Sequence, residues 1–390
     1  MVKPFHFARL PRILFGNGMI SELASNVKSI GNKVILVTGA SSFIKSENAG
    51  KLFDDFKKKA IEFKIITING EPSPEVIDKA VRELYLEKFD IVVGIGGGSV
   101  LDSGKAVSAM MFRNESVTEF LEGVGVKEHP GTKIPYIAVP TTSGTGSEAT
   151  KNAVISKVGE NGFKRSLRHD NFVPDIAIVD PGLTLNVPPD LTATCGMDCF
   201  TQLTEAFLSN KSNEFTDALA VKGLFHVKES LLRTYSNGED IDARSGMSFA
   251  ALTSGISLAN AGLGVVHGFA SSLGGEFNIP HGLICGSLMA PANEINVKVL
   301  RRTKSNPAAL KKYAQLGELF LDDKGRNEDY YIDGFIQYLH RISHMLGISG
   351  LKQTHLDEKH MELICNNTEI KNNPVKLDAQ ELMEILHSLP

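Results

Sequence analysis

Asp198 and Gln202 stand four apart in the stretch GMDCFTQLTEAFLS, residues 196–209. On a helix that spacing puts both side chains on one face. Glu205 continues the polar stripe, while Phe200, Leu203 and Phe207 form the apolar side. Further on, GLGVVHGFASSLGGEFNIPHG carries His267 and His281, 14 apart with glycine and proline between them. These two histidines therefore come from two helices, or from a helix and a loop. A carboxylate and two imidazoles are a donor set for Fe(II) or Zn(II). The plainer reading is a polar stripe on an ordinary helix and two unrelated core or capping histidines. The four cysteines (Cys195, Cys199, Cys285 and Cys365) make no CxxC pair, which argues against a thiolate-rich zinc site. So few cysteines in a long chain read as reduced and cytoplasmic.

Two loops could hold a nucleotide beside such a centre. IVVGIGGGSVLDSGKA (91–106) runs from an apolar strand through Gly96, Gly97 and Gly98 into a helix. Glycine lets backbone amides approach a ligand, and a helix N-terminus favours phosphate. Ser99 with Asp102 three residues later fits a capping box, so a tight, well-capped turn is the competing explanation. The spacing is neither GxGxxG nor a Walker motif, because Lys105 lies inside the helix. The second loop, VPTTSGTGSEAT (139–150), follows another apolar strand and gathers Thr141, Thr142, Ser143, Thr145 and Ser147 around Gly144 and Gly146. Hydroxyls and free amides at a strand's C-terminal end suit the ligand crevice of an α/β sheet.

The elements that must position these residues follow from periodicity. NKVILVTG and FKIITING read as strands, and FDIVVGIG, PYIAVPTT and DIAIVD as buried ones; they alternate with amphipathic helices, as in a doubly wound parallel sheet. After Asp180 comes the proline-rich PGLTLNVPPD, and beyond it helical patterns dominate. The chain divides on this reading into an α/β domain, 1–182, and a helical domain, 183–390. With 390 residues, 42% of them hydrophobic and 22% charged, the composition is that of a packed soluble protein. A net charge of −4 gives no reason to expect a nucleic-acid or anionic-membrane partner. There is no apolar run of ~18 residues to span a membrane and no signal-peptide pattern at the start.

Taken in order, GGGSVLDSGKA, PTTSGTGSE, the GMD helix and the histidine pair ending in PHG resemble the iron-dependent (group III) alcohol dehydrogenase family. The match extends from FGNG near residue 15 to about residue 300. The resemblance implies a Rossmann-like domain followed by an all-helical one, in the dehydroquinate-synthase-like arrangement. It implies that Gly97, Gly98, Ser99 and Asp102 hold the pyrophosphate side of a nicotinamide dinucleotide. Thr141, Thr142 and Thr145 would line the same cleft, Lys164 would contact the cofactor, and Leu183, Thr184 and Val187 would approach its adenosine or ribose. Asp198, Gln202, His267 and His281 fall at the four metal-ligand positions. Asp198, His267, His281 and Ser271 would be the catalytic group.

Two departures qualify the match. The family usually has histidine where Gln202 stands, and often another where Ser271 stands. An amide oxygen binds first-row metals less tightly than imidazole, so the centre is either a metal site with a weakened fourth ligand or a metal-independent one. Water, the cofactor ribose or Ser271 would have to move the alcohol proton. In the family an acid at the position of Gly39 pairs with the ribose 2′-hydroxyl. Glycine there, with Ser41, Ser42 and Lys45 nearby, favours NADP(H) over NAD(H). The expected reaction is hydride transfer between the dinucleotide and a small alcohol, aldehyde or ketone. A lyase of the same fold, using NAD without net redox, is the competing reading. FHFARLPRILFGNG would form an exposed hairpin that pairs subunits into a dimer.

Overall fold

The computed structural model describes residues 4–159, 162–348, 351 and 356–389. Five strands stand where the apolar runs place them: Lys33–Gly39 (β2), Glu62–Ile68 (β3), Ile91–Gly96 (β4), Tyr136–Pro140 (β5) and Ile176–Val179 (β8). The strand before them, Arg12–Phe15 (β1), joins the same sheet. The order is β1-β8-β5-β4-β2-β3, parallel throughout. Helices Leu23–Ile30 (α1), Glu47–Lys58 (α2), Pro74–Leu84 (α3) and Gly98–Met110 (α4) cover it.

Burial on both faces explains the unbroken apolar runs. Val34, Leu36, Ile91, Val93 and Ile95 pack to one side. Ile35, Val37 and Val92, next to them in sequence, pack to the other. The chain leaves β2 for β3 on one side and returns to β4 on the other side of β2. This reversal opens a crevice at the ends of β2 and β4, at Gly39 and Gly96.

Two features differ from expectation. The N-terminal stretch forms no hairpin: Arg12–Phe15 runs parallel to Ile176–Val179 as the outer strand of the sheet. A parallel partner lies far along the chain, so local sequence carries no register signal for it. In addition, Asn152–Lys157 (β6) and Phe163–Arg168 (β7) form a separate antiparallel ribbon. Lys105 fastens that ribbon to α4. It is 2% exposed, and Nζ donates to Asn152 O at the start of β6 (2.5 Å) as well as to Ser147 O and Oγ (3.0 Å each) and Thr150 Oγ1 (3.2 Å) just before it.

Beyond the turn Pro181–Thr184 the described chain is helical: Pro189–Leu208 (α5), Glu214–Ser236 (α6), Ile241–Ala261 (α7), Val265–Glu276 (α8), His281–Thr303 (α9) and four further helices to His387. They enclose one large core that includes Phe200, Leu203, Phe269, Leu288 and Phe335. Among the described residues no single helix is long and apolar enough to cross a membrane. Helices α7 and α8 pass that test only together, and they meet at a bend of 98°.

His129 is buried edge-on between Phe120 and Phe172, and its Nδ1 accepts from Gly131 N at 3.0 Å. Burial pulls its pKa down to about 4 from 6.5. Between those two pH values the unfolded chain binds a proton that the folded one refuses. Stability from this group is therefore intact above pH 6.5 and is lost as pH falls towards 4. His129→Asn keeps an acceptor for Gly131. On acidification from neutral pH, the wild type should lose on the order of 2 kcal/mol more than this variant, measured by urea unfolding across that range.

Candidate active site

The three glycines are dictated by crowding. A Cβ on Gly96 would lie 2.6 Å from Val100 Cβ, one on Gly98 2.9 Å from Thr145 Oγ1, and one on Gly97 3.3 Å from Thr142 Oγ1. The glycine turn and the threonine loop thus face each other across a narrow crevice. Thr141 N also donates to Gly96 O at 3.0 Å. Helix α4 begins at Gly98 behind Gly97, with no side chain over its end. The expected capping box is absent. Ser99 Oγ turns to Glu71 Oε1 at 3.5 Å, and Lys164 Nζ reaches Glu71 Oε2 at 3.1 Å. Glu71, which sequence reasoning missed, therefore ties Ser99 to Lys164.

Asp102 points inward. Its carboxylate accepts from Val154 N at 2.9 Å and from Ser147 Oγ, and it lies 3.7 Å from Lys105 Nζ. Its oxygens serve the protein's own donors, which makes it a brace for the crevice wall. Thr184 is buried and donates to Pro181 O at 2.8 Å. Val187 O accepts from Arg244 Nη2 at 3.0 Å, and Leu183 packs on the core under the sheet. Gly39 and Ser41 sit at the open end of β2, where a Cβ on Gly39 would meet only Val100 Cγ2 and Ser42 Oγ, at 3.9 and 4.0 Å.

Helix α5 carries Asp198 into the space beside this crevice. The threonine loop rests on it one turn earlier, where a Cβ on Gly144 would come within 3.1 Å of Cys195 Cβ. Asp198, Gln202 and Glu205 are 2%, 3% and 5% exposed, so the polar stripe is sealed inside the protein. A buried carboxylate pair is costly unless it is matched. Helix α8 and the first residue of α9 supply the match. His267 Nε2 lies 3.3 Å and His281 Nε2 3.6 Å from Asp198 Oδ1. Glu205 holds the far side of His267, accepting from Nδ1 and from Val266 N at 2.7 Å each. Gln202 Nε2 donates to Asp198 Oδ2 at 3.3 Å, and its Oε1 accepts from Ser254 Oγ at 3.4 Å.

One donor was not expected. Cys285, one turn after His281, sets Sγ 3.7 Å from Nε2 of both histidines. One thiol does not make the thiolate-rich site that the spacing argued against, but it adds a sulfur to the expected donors. The signal was present, since His281 and Cys285 are four apart, the same spacing that singled out Asp198 and Gln202.

The charges are strongly coupled. Burial disfavours the Asp198 carboxylate, but His281, His267 and Gln202 outweigh it and hold the pKa down at about 2. Burial pushes His281 down to about 3. Burial also opposes a proton on His267, yet Cys285, Asp198 and Glu205 raise its pKa well above 6.5. Burial lifts the Cys285 thiol to about 11. The Nδ1 of His281 is buried with no partner.

A carboxylate oxygen, two imidazole nitrogens and a sulfur within 4.8 Å of one another fit a divalent cation. Glu205 on Nδ1 fixes the His267 tautomer whose Nε2 faces the centre, as second-shell carboxylates do at metal sites. Ser271 lies outside this cluster. Its Oγ donates to His267 O at 2.9 Å, and it lines a cleft of about 800 Å³ with Lys164 and Lys371.

A dinucleotide-type crevice on a parallel sheet, with a cluster that could hold a metal ion on the adjoining helices, is the arrangement of a nucleotide-using enzyme. Comparison with known proteins gives its family. The model described as iron-containing alcohol dehydrogenase matches residues 11–181, and that of the Fe-containing alcohol dehydrogenase family C-terminal region matches 192–389. The chain belongs to the iron-containing alcohol dehydrogenase family. It is 36% identical over 268 residues to long-chain-alcohol dehydrogenase 1 of Geobacillus thermodenitrificans, covering 68% of this chain and 67% of that one. With alcohol dehydrogenase 4 of Saccharomyces cerevisiae the identity is 29% over 384 residues, covering 96% of each. The solved alcohol dehydrogenase from Oenococcus oeni superposes with a TM-score of 0.89 at 27% identity, covering 99% of this chain and 100% of that one.

Proposed function

We propose that this protein is a metal-assisted oxidoreductase that moves a hydride between a nicotinamide dinucleotide and a small alcohol, aldehyde or ketone. The observation that supports it most is the meeting of Asp198, His267 and His281 beside the crevice formed by Gly97, Gly98, Thr142 and Thr145. The cofactor half ends, on this reading, in the turn at 182. The open N-terminus of α4 receives the pyrophosphate. Thr141, Ser99 and Lys164 line its path, while Leu183, Thr184 and Val187 border it from the turn. Asp198, His267 and His281 hold Fe(II) or Zn(II), which when bound supplies Lewis-acid polarisation of the substrate oxygen. Glu205 and Gln202 keep those ligands oriented. Ser271 spends its hydrogen on His267 O. The substrate proton therefore passes through water or the cofactor ribose.

NADP(H) is the preferred dinucleotide, because Gly39 offers no carboxylate and leaves room for a 2′-phosphate near Ser41, Ser42 and Lys45. Gly39→Asp should shift the ratio of kcat/KM for NADPH over NADH at least about tenfold towards NADH, since a carboxylate repels the 2′-phosphate. A ratio that stays put removes Gly39 from cofactor selection.

We place the enzyme in the cytoplasm as a homodimer. Phe5 and Phe215 stack at the surface, 42% and 51% exposed. This patch is the surface we assign to the partner copy.

The reaction class is tested with reduced cofactor carrying deuterium at C4 of the nicotinamide. Hydride transfer leaves the label on the product's carbinol carbon, read by mass spectrometry. A lyase would return the label on the cofactor and turn over with no net oxidation of it.

A further inference from the structure

We propose that Cys285, and not Gln202, is the fourth protein ligand of the metal, so that the centre is an Asp198/His267/His281/Cys285 set suited to zinc. This rests on the reading of the site as a metal centre.

The first argument is geometric. Bonds of about 2.0 Å to oxygen, 2.05 Å to nitrogen and 2.3 Å to sulfur at tetrahedral angles require edges of about 3.3 Å (O···N) and 3.6 Å (S···N). The side chains already stand at 3.3 and 3.6 Å for Asp198 Oδ1 to the two imidazole nitrogens. Cys285 Sγ lies 3.7 Å from each of those nitrogens. Four of the six edges thus match those of a metal-bound set, and all four atoms lie within 4.8 Å of one another.

The second argument concerns Gln202. Its amide nitrogen faces Asp198 Oδ2, the oxygen that does not point at the histidines, and its carbonyl is held by Ser254. A ligating amide would have to present its oxygen beside the carboxylate and break both contacts. Gln202 is a positioning residue: it turns Asp198 so that Oδ1 meets the imidazoles. The third argument is chemical. Thiolate and imidazole are preferred zinc donors, whereas an amide oxygen suits harder cations. On binding, the Cys285 sulfur donates a lone pair to the cation and its proton leaves to solvent, so affinity rises with pH.

The test uses the whole protein loaded with one equivalent of Zn(II) or Co(II). X-ray absorption at the zinc edge should show one sulfur scatterer at about 2.3 Å. The Co(II) form should show a thiolate-to-cobalt charge-transfer band in the near ultraviolet. Cys285→Ala should lose both signals and bind zinc about 10²-fold or more weakly, a ligand loss exceeding a second-shell one. Gln202→Ala should keep both signals. A wild-type site holding zinc through nitrogen and oxygen alone overturns the assignment and leaves the dehydrogenase reading standing. So does a charge-transfer band that survives Cys285→Ala. Wild-type protein that binds neither metal overturns the assignment and the metal reading together. The wild-type spectrum decides the question even if a variant fails to fold.

Discussion

His267→Ala should lower kcat/KM by about 10³-fold or more and remove the metal in the same step, because transition-state stabilisation by a metal is worth several kcal/mol. The imidazole has two jobs. Its Nε2 completes the donor set with Asp198, and its Nδ1 neutralises Glu205, which is 5% exposed. Truncation therefore takes one donor from this buried carboxylate and leaves it Val266 N, at a cost of about 1–3 kcal/mol of stability. His267→Asn separates the two effects. Its amide can still donate to Glu205, so stability should recover in large part while activity and metal stay lost. Metal content, turnover and urea unfolding on the three proteins check this. Full activity in a metal-depleted His267→Ala protein would mean that the reaction does not need the centre.

The second large effect is expected at the crevice. Gly98→Val places branched carbon where a Cβ alone would already stand 2.9 Å from Thr145. The backbone there is ordinary helix, so the fold should persist while the space for pyrophosphate closes. The kcat/KM for the dinucleotide should fall about 10²-fold, equivalent to ~2.7 kcal/mol. Gly97→Ala meets only the Thr142 side chain, Oγ1 at 3.3 Å and Cγ2 at 3.5 Å, which a small shift relieves, and should cost less than about tenfold. Cofactor kinetics at saturating substrate measure both. Equal effects at the two positions would place the phosphates elsewhere.

The apolar runs of β2, β4, β5 and β8 were legible because strands buried on both faces leave no alternation to misread, whereas the edge strand β3 is largely exposed. The helical half was legible because its period is local. The sequence did not reveal β1 or the β6–β7 ribbon, whose pairing depends on distant chain or on a brace such as Lys105. At the site, Asp198, His267 and His281 could be picked out by residue type. Their company could not: Glu71 and Glu205 look like ordinary surface acids until the fold buries or bridges them. Asp102 is the converse case. It stands in a phosphate-loop motif, yet its carboxylate is engaged by Val154 N and Ser147, contacts that no spacing rule announces. Cys285 was the avoidable miss, because its helical offset from His281 was readable and only the absence of a CxxC pair turned attention away.

The central claim is that catalysis passes through a metal held by Asp198, His267 and His281 next to the bound dinucleotide. Its most direct test is a chelator titration in which bound metal and rate of aldehyde reduction are measured on the same aliquots. The account predicts activity that falls in proportion to occupancy, reaching zero with the last of one metal per chain, and returns on reloading. Undiminished reduction by fully stripped protein would contradict it.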